Sequence, residues 1–374
     1  MGWRGDITSM GERRIAAKPK TATSMGARIR SNGWRRELRE FVIRRGMKAM
    51  CGSADFVPTS VADDIPLVSG GIRFAWVKVL GAVGVKDFVA VSGLGYRFVC
   101  HVGDLAEYPF YHRRAYAREL ALSAAWLEGE EKPVVYDLGA NVGFISTHLA
   151  QILKDRSPRI YAFEPVPLTF EKLVRSVRRL GLNDRVHPIA AAVVDGPRDV
   201  RIAWSPGNSM LSQVVPEAPG IRHSNGIRHS NGFRHANGFA LATGITLDAF
   251  SARTGTHPTL VKMDVEGSEV AALRGARRLL AKEDRPAIIF EHNPETLAEC
   301  GVTSGALAEL LAGYAFFYVD DFDGQKLPFG SGIENLGAVD WACNIFAAPR
   351  HEATEERWRS VLKRARKRLA SSSR

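Results

Sequence analysis

The sequence predicts an α/β fold, with a mostly parallel central sheet and helices on both of its faces. Two observations predict it. After Lys132, short apolar runs alternate repeatedly with stretches of helical period, and alternating units of this kind bury a parallel sheet under helices on both sides. The first run, PVVYDLG, passes through a glycine turn into a helical stretch, the junction at which such sheets hold their ligands.

The elements follow in order. Between Gly71 and His101 the runs IRFAWVKV, DFVAV and YRFVCHV predict a small antiparallel β segment. Arg113 to Gly129 places Leu120, Ala124 and Leu127 at helical spacing and stops at a glycine, which predicts a helix. PVVYDLG is then a strand, Phe144 to Leu153 a helix, IYAFEP a strand, and Leu168 to Leu180 a helix closed by Gly181. VHPIAAAVV, TLVKMDVEG, AIIFEH and AFFYVD continue the series, and NIFAA supplies a final strand. Right-handed crossovers then place a ligand crevice at the carboxyl ends of the strands, the Rossmann-like arrangement.

The chain divides into a basic, largely disordered extension over 1–50, a β/α segment over 51–130, a main domain over 131–349 and a basic helix over 350–374. Within the main domain, residues 220–237 repeat GIRHSN, GIRHSN and GFRHAN. His223, His229 and His235 recur with the repeat, and a histidine tract binds metal in some proteins. Three near-identical copies favour instead a permissive surface loop. In the last segment Trp358, Val361, Leu362, Ala365 and Leu369 fall on one helical face among lysines and arginines. A basic amphipathic helix suits an anionic membrane surface or a partner, but a terminal helix packing on its own domain is the preferred expectation.

Charge and cysteines exclude several classes. The formal net charge of +11 resides in the ends, with +9 over residues 1–50 and +6 over 350–374, so the intervening body is −4. Nucleic-acid affinity needs a basic face on the folded body, so no specific nucleic-acid partner is expected. Cys51, Cys100, Cys300 and Cys343 are far apart and form no C-x-x-C pair, which gives neither a zinc site nor a disulfide framework. No run reaches the roughly 18 to 20 apolar residues of a transmembrane helix, and a cytoplasmic location is expected.

The motif with most chemistry is DLGANVGF, Asp137 to Phe144. Gly139 lets the backbone bend between strand and helix, and Gly143 permits close approach at the helix start. Free amides there favour an anionic group such as a carboxylate. Asp137 at the strand end is placed to balance an ammonium. Glu164 ends the next strand in AFEPVP, followed by Pro165; an acidic residue at that place accepts hydrogen bonds from ribose hydroxyls. Asn141 stands where a dinucleotide fingerprint requires its middle glycine. The pattern therefore favours S-adenosylmethionine over NAD, with an NAD-dependent oxidoreductase and a non-catalytic nucleoside-binding module as the alternatives.

At this point the chain resembles the FkbM family of methyltransferases. The resemblance rests on YDLGANVGF, YAFEPVP, TLDAF, LVKMDVEGSE, LRGARRLL and IIFEHN, in order, and covers roughly residues 95–348. It implies a class I methyltransferase fold and transfer of a methyl group from S-adenosylmethionine to hydroxyl oxygens of small molecules or sugars. The six-residue repeat and the basic ends depart from the family's pattern.

An alcohol must lose its proton on methylation, so a base is expected at the strand ends beside the glycine turn. MDVEG and FEHN carry the ionisable groups there, and Asp264, Glu266, Glu291 and His292 are the candidates. His292 has the side chain best matched to proton transfer near neutrality. A direct base is preferred to a magnesium ion held by two or three of the carboxylates. Asp264 and Glu266 have an alternative role as caps of the helix that follows, and Lys262 as a paired structural charge.

Overall fold

The structure, a computed structural model, describes residues 81–82, 84–92, 94–102, 116–205, 208–214, 238–321 and 326–371. The extension over 1–50, the six-residue repeat with its three histidines and the start of the predicted β segment lie outside these residues.

Eight strands form the main sheet. In chain order they are β3 (Val134–Leu138), β4 (Arg159–Phe163), β5 (Val186–Ile189), β10 (Leu260–Met263), β11 (Ala287–His292), β12 (Tyr314–Asp321), β13 (Gly332–Ile333) and β14 (Cys343–Pro349). Across the sheet the order is β13-β12-β14-β11-β10-β3-β4-β5. The run from β11 to β5 is parallel, whereas β14 is antiparallel to both β11 and β12. This is the expected mostly parallel α/β sheet, and the late strand NIFAA enters its middle rather than its edge.

Alternation along each strand supplies both cores. Val135, Ile160, Leu260 and Ile289 belong to one apolar cluster, while their neighbours Tyr136, Val261, Ile288 and Phe290 belong to the other. The first cluster packs under α1 (Ala117–Leu127), α2 (Phe144–Ile152), α3 (Pro167–Leu180) and α9 (Glu355–Ser371). The second packs under α4 (Leu247–Thr254), α5 (Glu269–Arg274), α6 (Arg277–Leu280), α7 (Pro294–Glu299) and α8 (Ser304–Leu310). Strands buried on both faces need no polar alternation, and these runs are nearly continuous apolar sequence.

VHPIAAAVV is not one strand. It breaks after β5, and β6 (Ala192–Val193) joins β7 (Arg198–Ser205), β8 (Asn208–Val214) and β9 (Gly238–Ile245) in a separate four-stranded sheet ordered β6-β9-β7-β8. Pro188 and the alanines after it mark the place. The predicted antiparallel hairpin is present as β1 (Asp87–Val91) and β2 (Arg97–His101).

The C-terminal helix covers its own apolar face. Trp358 stacks on Phe317 with ring centroids 3.7 Å apart and donates from Nε1 to the Gly330 carbonyl at 3.0 Å. Val361 and Ala365 are buried with it, and Arg364 reaches back to the Ala125 carbonyl and to Glu128 on the α1 side. The face expected to suit a membrane is thus spent on the domain. No described helix is long and apolar enough to cross a membrane.

Two buried histidines dock the hairpin. His101 Nε2 lies 3.0 Å from Ser176 Oγ, and His148 Nε2 lies 2.9 Å from Ser92 Oγ while its Nδ1 lies 2.8 Å from the Phe144 carbonyl. A neutral ring donating to that carbonyl and accepting from the serine satisfies both contacts of His148. Burial pushes its pKa down to about 4. The unfolded chain then binds a proton that the folded one refuses, so this contribution is complete above the ordinary histidine range and declines as pH falls from about 6.5 to 4. The expected cost by pH 4 is about 3 kcal/mol. Urea unfolding of the parent and of His148→Asn at pH 7.5, 5.5 and 4.5 checks it: the parent's advantage should shrink with acid, and a constant difference would exclude this histidine as the cause.

Candidate active site

The glycine turn is built from three consecutive demands on the backbone. Gly139, Asn141 and Gly143 all have positive φ, at 72°, 53° and 87°. The amides of Gly139 and Ala140 both donate to the Phe163 carbonyl, at 3.0 and 2.9 Å, which pins the turn against the end of β4. A β-carbon on Gly139 would stand 1.9 Å from the Asp264 carbonyl oxygen, so the glycine serves the approach of β10's end. A β-carbon on Gly143 would meet Leu173 of α3 at 2.6 Å. Both glycines are therefore required by packing, before any ligand is considered.

Glu164 is held beside this turn. Its Oε2 accepts from the Asn141 amide at 3.0 Å and its Oε1 from the Val166 amide at 2.9 Å. Burial raises its pKa to about 7 against the pull of those two bonds. Glu164, Pro165, Gly139 and Asn141 all line one cleft. Ala191, Ala192, Val193, Ile202 and Val214 add an apolar wall, part of it from the small sheet.

Asp137 is placed differently from expectation. It is fully buried and does not line the cleft. Its Oδ2 accepts from Ser146 Oγ at 2.6 Å, and its Oδ1 faces Lys262 Nζ at 3.8 Å. Asp137 and Lys262 are direct cross-strand partners on β3 and β10, which brings the carboxylate to the lysine rather than to the cleft. Lys262 does reach the cleft, and its Nζ also lies 3.1 Å from Asp264 Oδ2. Burial works against this ammonium, but Asp264 and Asp137 hold its pKa above the usual lysine value.

Asp264, Glu266 and Glu291 converge, each offering one oxygen within 4.8 Å of the others. Burial, and then the charge of Asp264, pushes the carboxyl groups of Glu266 and Glu291 well up. Glu266 adopts a φ of 49°, unusual for a residue with a side chain. Neither Asp264 nor Glu266 caps the next helix. Glu269, the first residue of that helix, accepts from the amides of Val265 and Gly267 in the preceding turn at 3.4 Å each, while Asp264 and Glu266 line the cleft.

His292 does not join them. Strand alternation turns its ring away from Glu291, and Nε2 lies 3.0 Å from the Val339 carbonyl and 3.4 Å from Ser304 Oγ. It is fully buried outside the cleft, and burial lowers its pKa. The expectation of a histidine base is corrected accordingly: a ring sealed behind the sheet has no path to an acceptor. Tyr116 and Asn344 are among the cleft residues that the sequence reading did not single out. Tyr116 precedes α1 with a φ of 56°, and Asn344 is paired across β14 with Glu291. A lone asparagine in the apolar run CNIFAA was the available signal for the second.

The match to known proteins agrees with this geometry. The family model described as methyltransferase FkbM domain matches residues 137–318. Residues 137–318 of this chain are thus similar to a methyltransferase FkbM domain. Methyl transfer dependent on S-adenosylmethionine is the chemistry of such a domain.

Among solved structures this chain is similar to methyltransferase FkbM from Methylobacillus flagellatus KT, at 16% identity and a TM-score of 0.36, over 59% of this chain and 44% of that one. It is also similar to M. jannaschii TYW2 in complex with AdoMet, at 14% identity and a TM-score of 0.34, over 70% and 85% of the two chains. A third is precorrin-6y C5,15-methyltransferase from Geobacter metallireducens GS-15, at 13% identity and a TM-score of 0.32, over 62% and 87%. This chain thus spans less than half of the FkbM structure. No curated protein matches it.

Proposed function

We propose that this chain transfers the methyl group of S-adenosylmethionine to a hydroxyl oxygen of a small molecule or sugar. The observation that carries the reading is the shared cleft: a glycine turn and Glu164 at one end, three carboxylates at the other, on adjacent strand ends. The residues present suit the cofactor. Glu164 keeps lone pairs for two ribose hydroxyls beyond the two amides it already binds. The apolar wall from Ala191 to Val193 with Ile202 and Val214 suits a purine. Asn141 Oδ1 is a buried acceptor with no donor among the described residues, and its side chain occupies the place of a dinucleotide turn's middle glycine, which disfavours NAD.

The cofactor supplies an activated methyl group, so the protein's work is alignment and removal of one proton. With His292 outside the cleft, that proton falls to the carboxylates. Glu266 and Glu291 are the candidates for it: burial, and then the charge of Asp264, raises their carboxyls to about 9 and about 8, and each is a stronger base than an ordinary carboxylate once it is ionised. Asn344, beside Glu291, offers an amide to orient the acceptor.

Glu266→Gln is expected to lower turnover by about a hundredfold or more while cofactor binding persists. His292→Ala should act through stability alone. The assay is transfer of labelled methyl from S-adenosylmethionine to metabolite pools, with mass spectrometry locating the label on oxygen. Label on nitrogen or carbon would refute the acceptor class, and undiminished turnover in Glu266→Gln would refute the role of that residue. The close oxygens of Asp264, Glu266 and Glu291 also support magnesium as a second reading; inhibition by EDTA that magnesium reverses would establish it.

A further inference from the structure

We propose that the acceptor is a sugar or other polyol with neighbouring hydroxyl groups, and that Asp320, held by Arg118, selects it together with Asn344. The proposal deepens the methyltransferase reading above and rests on it.

The place of the acceptor follows from the order of the strands. On that reading the donor lies over the ends of β4, β3 and β10, where Glu164, the glycine turn and Asp264 line the cleft, so the acceptor lies beyond Asp264. There β11, β14 and β12 follow, and their pairing puts Glu291, Asn344 and Asp320 in one row. Residues paired in this way share a face of the sheet. The first turn of α1 stands over that face: Tyr116 lies within charge range of Asp264, Glu266 and Glu291, and Glu119 within range of Lys262, Asp264, Glu291 and Asp320.

Asp320 reaches the row through a bulge. Tyr314, Phe316 and Tyr318 all face the second apolar cluster, and strict alternation would send residue 320 the same way. Instead the register shifts between Tyr318 and Asp320, so that Asp320 pairs with Asn344 on the α1 side. Re-aiming a side chain is what bulges beside active sites do. Once there, Asp320 Oδ1 accepts from Arg118 Nη1 and from the Asp321 amide, both at 3.0 Å, and Arg118 lies over the Phe329 ring at 5.8 Å. Burial raises the Asp320 pKa, and the Arg118 charge opposes that shift. Oδ2 of Asp320 and the side-chain amide of Asn344 have no hydrogen-bond partner among the described residues. A fixed carboxylate oxygen next to an amide matches two hydroxyls at once, one donating to the oxygen and the other exchanging a bond with the amide. Glu291 and Asp320 stand two strand spacings apart, about 10 Å, which is room for a sugar ring between them. Sites built to hydrogen-bond a substrate hydroxyl reject analogues that lack it.

Transfer of labelled methyl from S-adenosylmethionine into a deproteinised cell extract at pH 8 tests the inference. Half of the extract is first treated with periodate, which cleaves neighbouring hydroxyls, and then quenched. The expected result is labelling of the untreated half alone. Asp320→Ala should raise the amount of untreated extract needed for half-maximal rate by at least about tenfold, while the maximal rate and the affinity for S-adenosylhomocysteine stay those of the parent. Asp320→Asn, which keeps an acceptor oxygen, should recover part of the loss. Labelling that survives periodate, parental dependence on extract in Asp320→Ala, or a loss in that variant confined to maximal rate or melting temperature overturns the proposal and leaves the methyltransferase reading intact. A folded parent that neither binds S-adenosylhomocysteine nor labels the extract overturns both.

Discussion

Replacing Gly139 with alanine is expected to leave little folded protein. A β-carbon there would sit 1.9 Å from the Asp264 carbonyl oxygen, and the backbone φ of 72° is one that alanine rarely adopts. Neither strain has an escape, because the opposing atom is backbone at the end of a central strand and the turn is fixed by two amides on the Phe163 carbonyl. Gly143→Ala should be milder. Its obstacle is the tip of the Leu173 side chain, which has rotamers to move into, although the φ of 87° still costs. Thermal melts by circular dichroism rank the two: the Gly139 variant should lack a cooperative transition or melt far below the Gly143 variant. The reverse order would show that packing on α3, and not the meeting of turn and β10, governs this junction.

Glu164→Ala is expected to abolish stabilisation by S-adenosylhomocysteine. A ligand that binds only the folded state raises the melting temperature by mass action, and this substitution removes the acceptor for two ribose hydroxyls. Hydrogen bonds to a charged group contribute about 1.5 to 3 kcal/mol each, so a loss of at least about a hundredfold in affinity follows. The pH dependence has a definite sign. With the Glu164 pKa raised to about 7 by burial, acid protonates the acceptor, so affinity should fall as pH drops below about 7. Glu164→Gln should bind weakly and without that dependence. Parent-like affinity in the alanine variant would remove Glu164 from the cofactor site.

The parallel core was legible because its strands are written as unbroken apolar runs ending in glycine or acid, and the physics of burial on both faces leaves few other readings for them. The turn of Gly139, Asn141 and Gly143 and the strand end of Glu164 and Pro165 were legible as local structure for a related reason: glycines and a strand-end carboxylate occur at short fixed spacing. Other features depend on tertiary placement. Asp137 and His292 have the right chemistry and the right strand ends, yet a cross-strand lysine claims the first and strand alternation turns the second away. Tyr116 and Asn344 come from outside the motifs, and their arrival at the cleft depends on how α1 and β14 pack. β6 was read as the end of a main-sheet strand because only two residues separate it from β5, and β7, β8 and β9 were not read as strands.

The position of β14 also bears on how the molecule is made. It is the last strand in the sequence, yet it lies between β11 and β12 and carries Asn344 to the cleft. During synthesis the edge of β11 stays unpaired until residues 343–349 emerge, an open template for pairing with other chains. A ribosome stalled anywhere before that point holds a chain with its glycine turn and carboxylates already translated but without the strand that seats Glu291 against its neighbour.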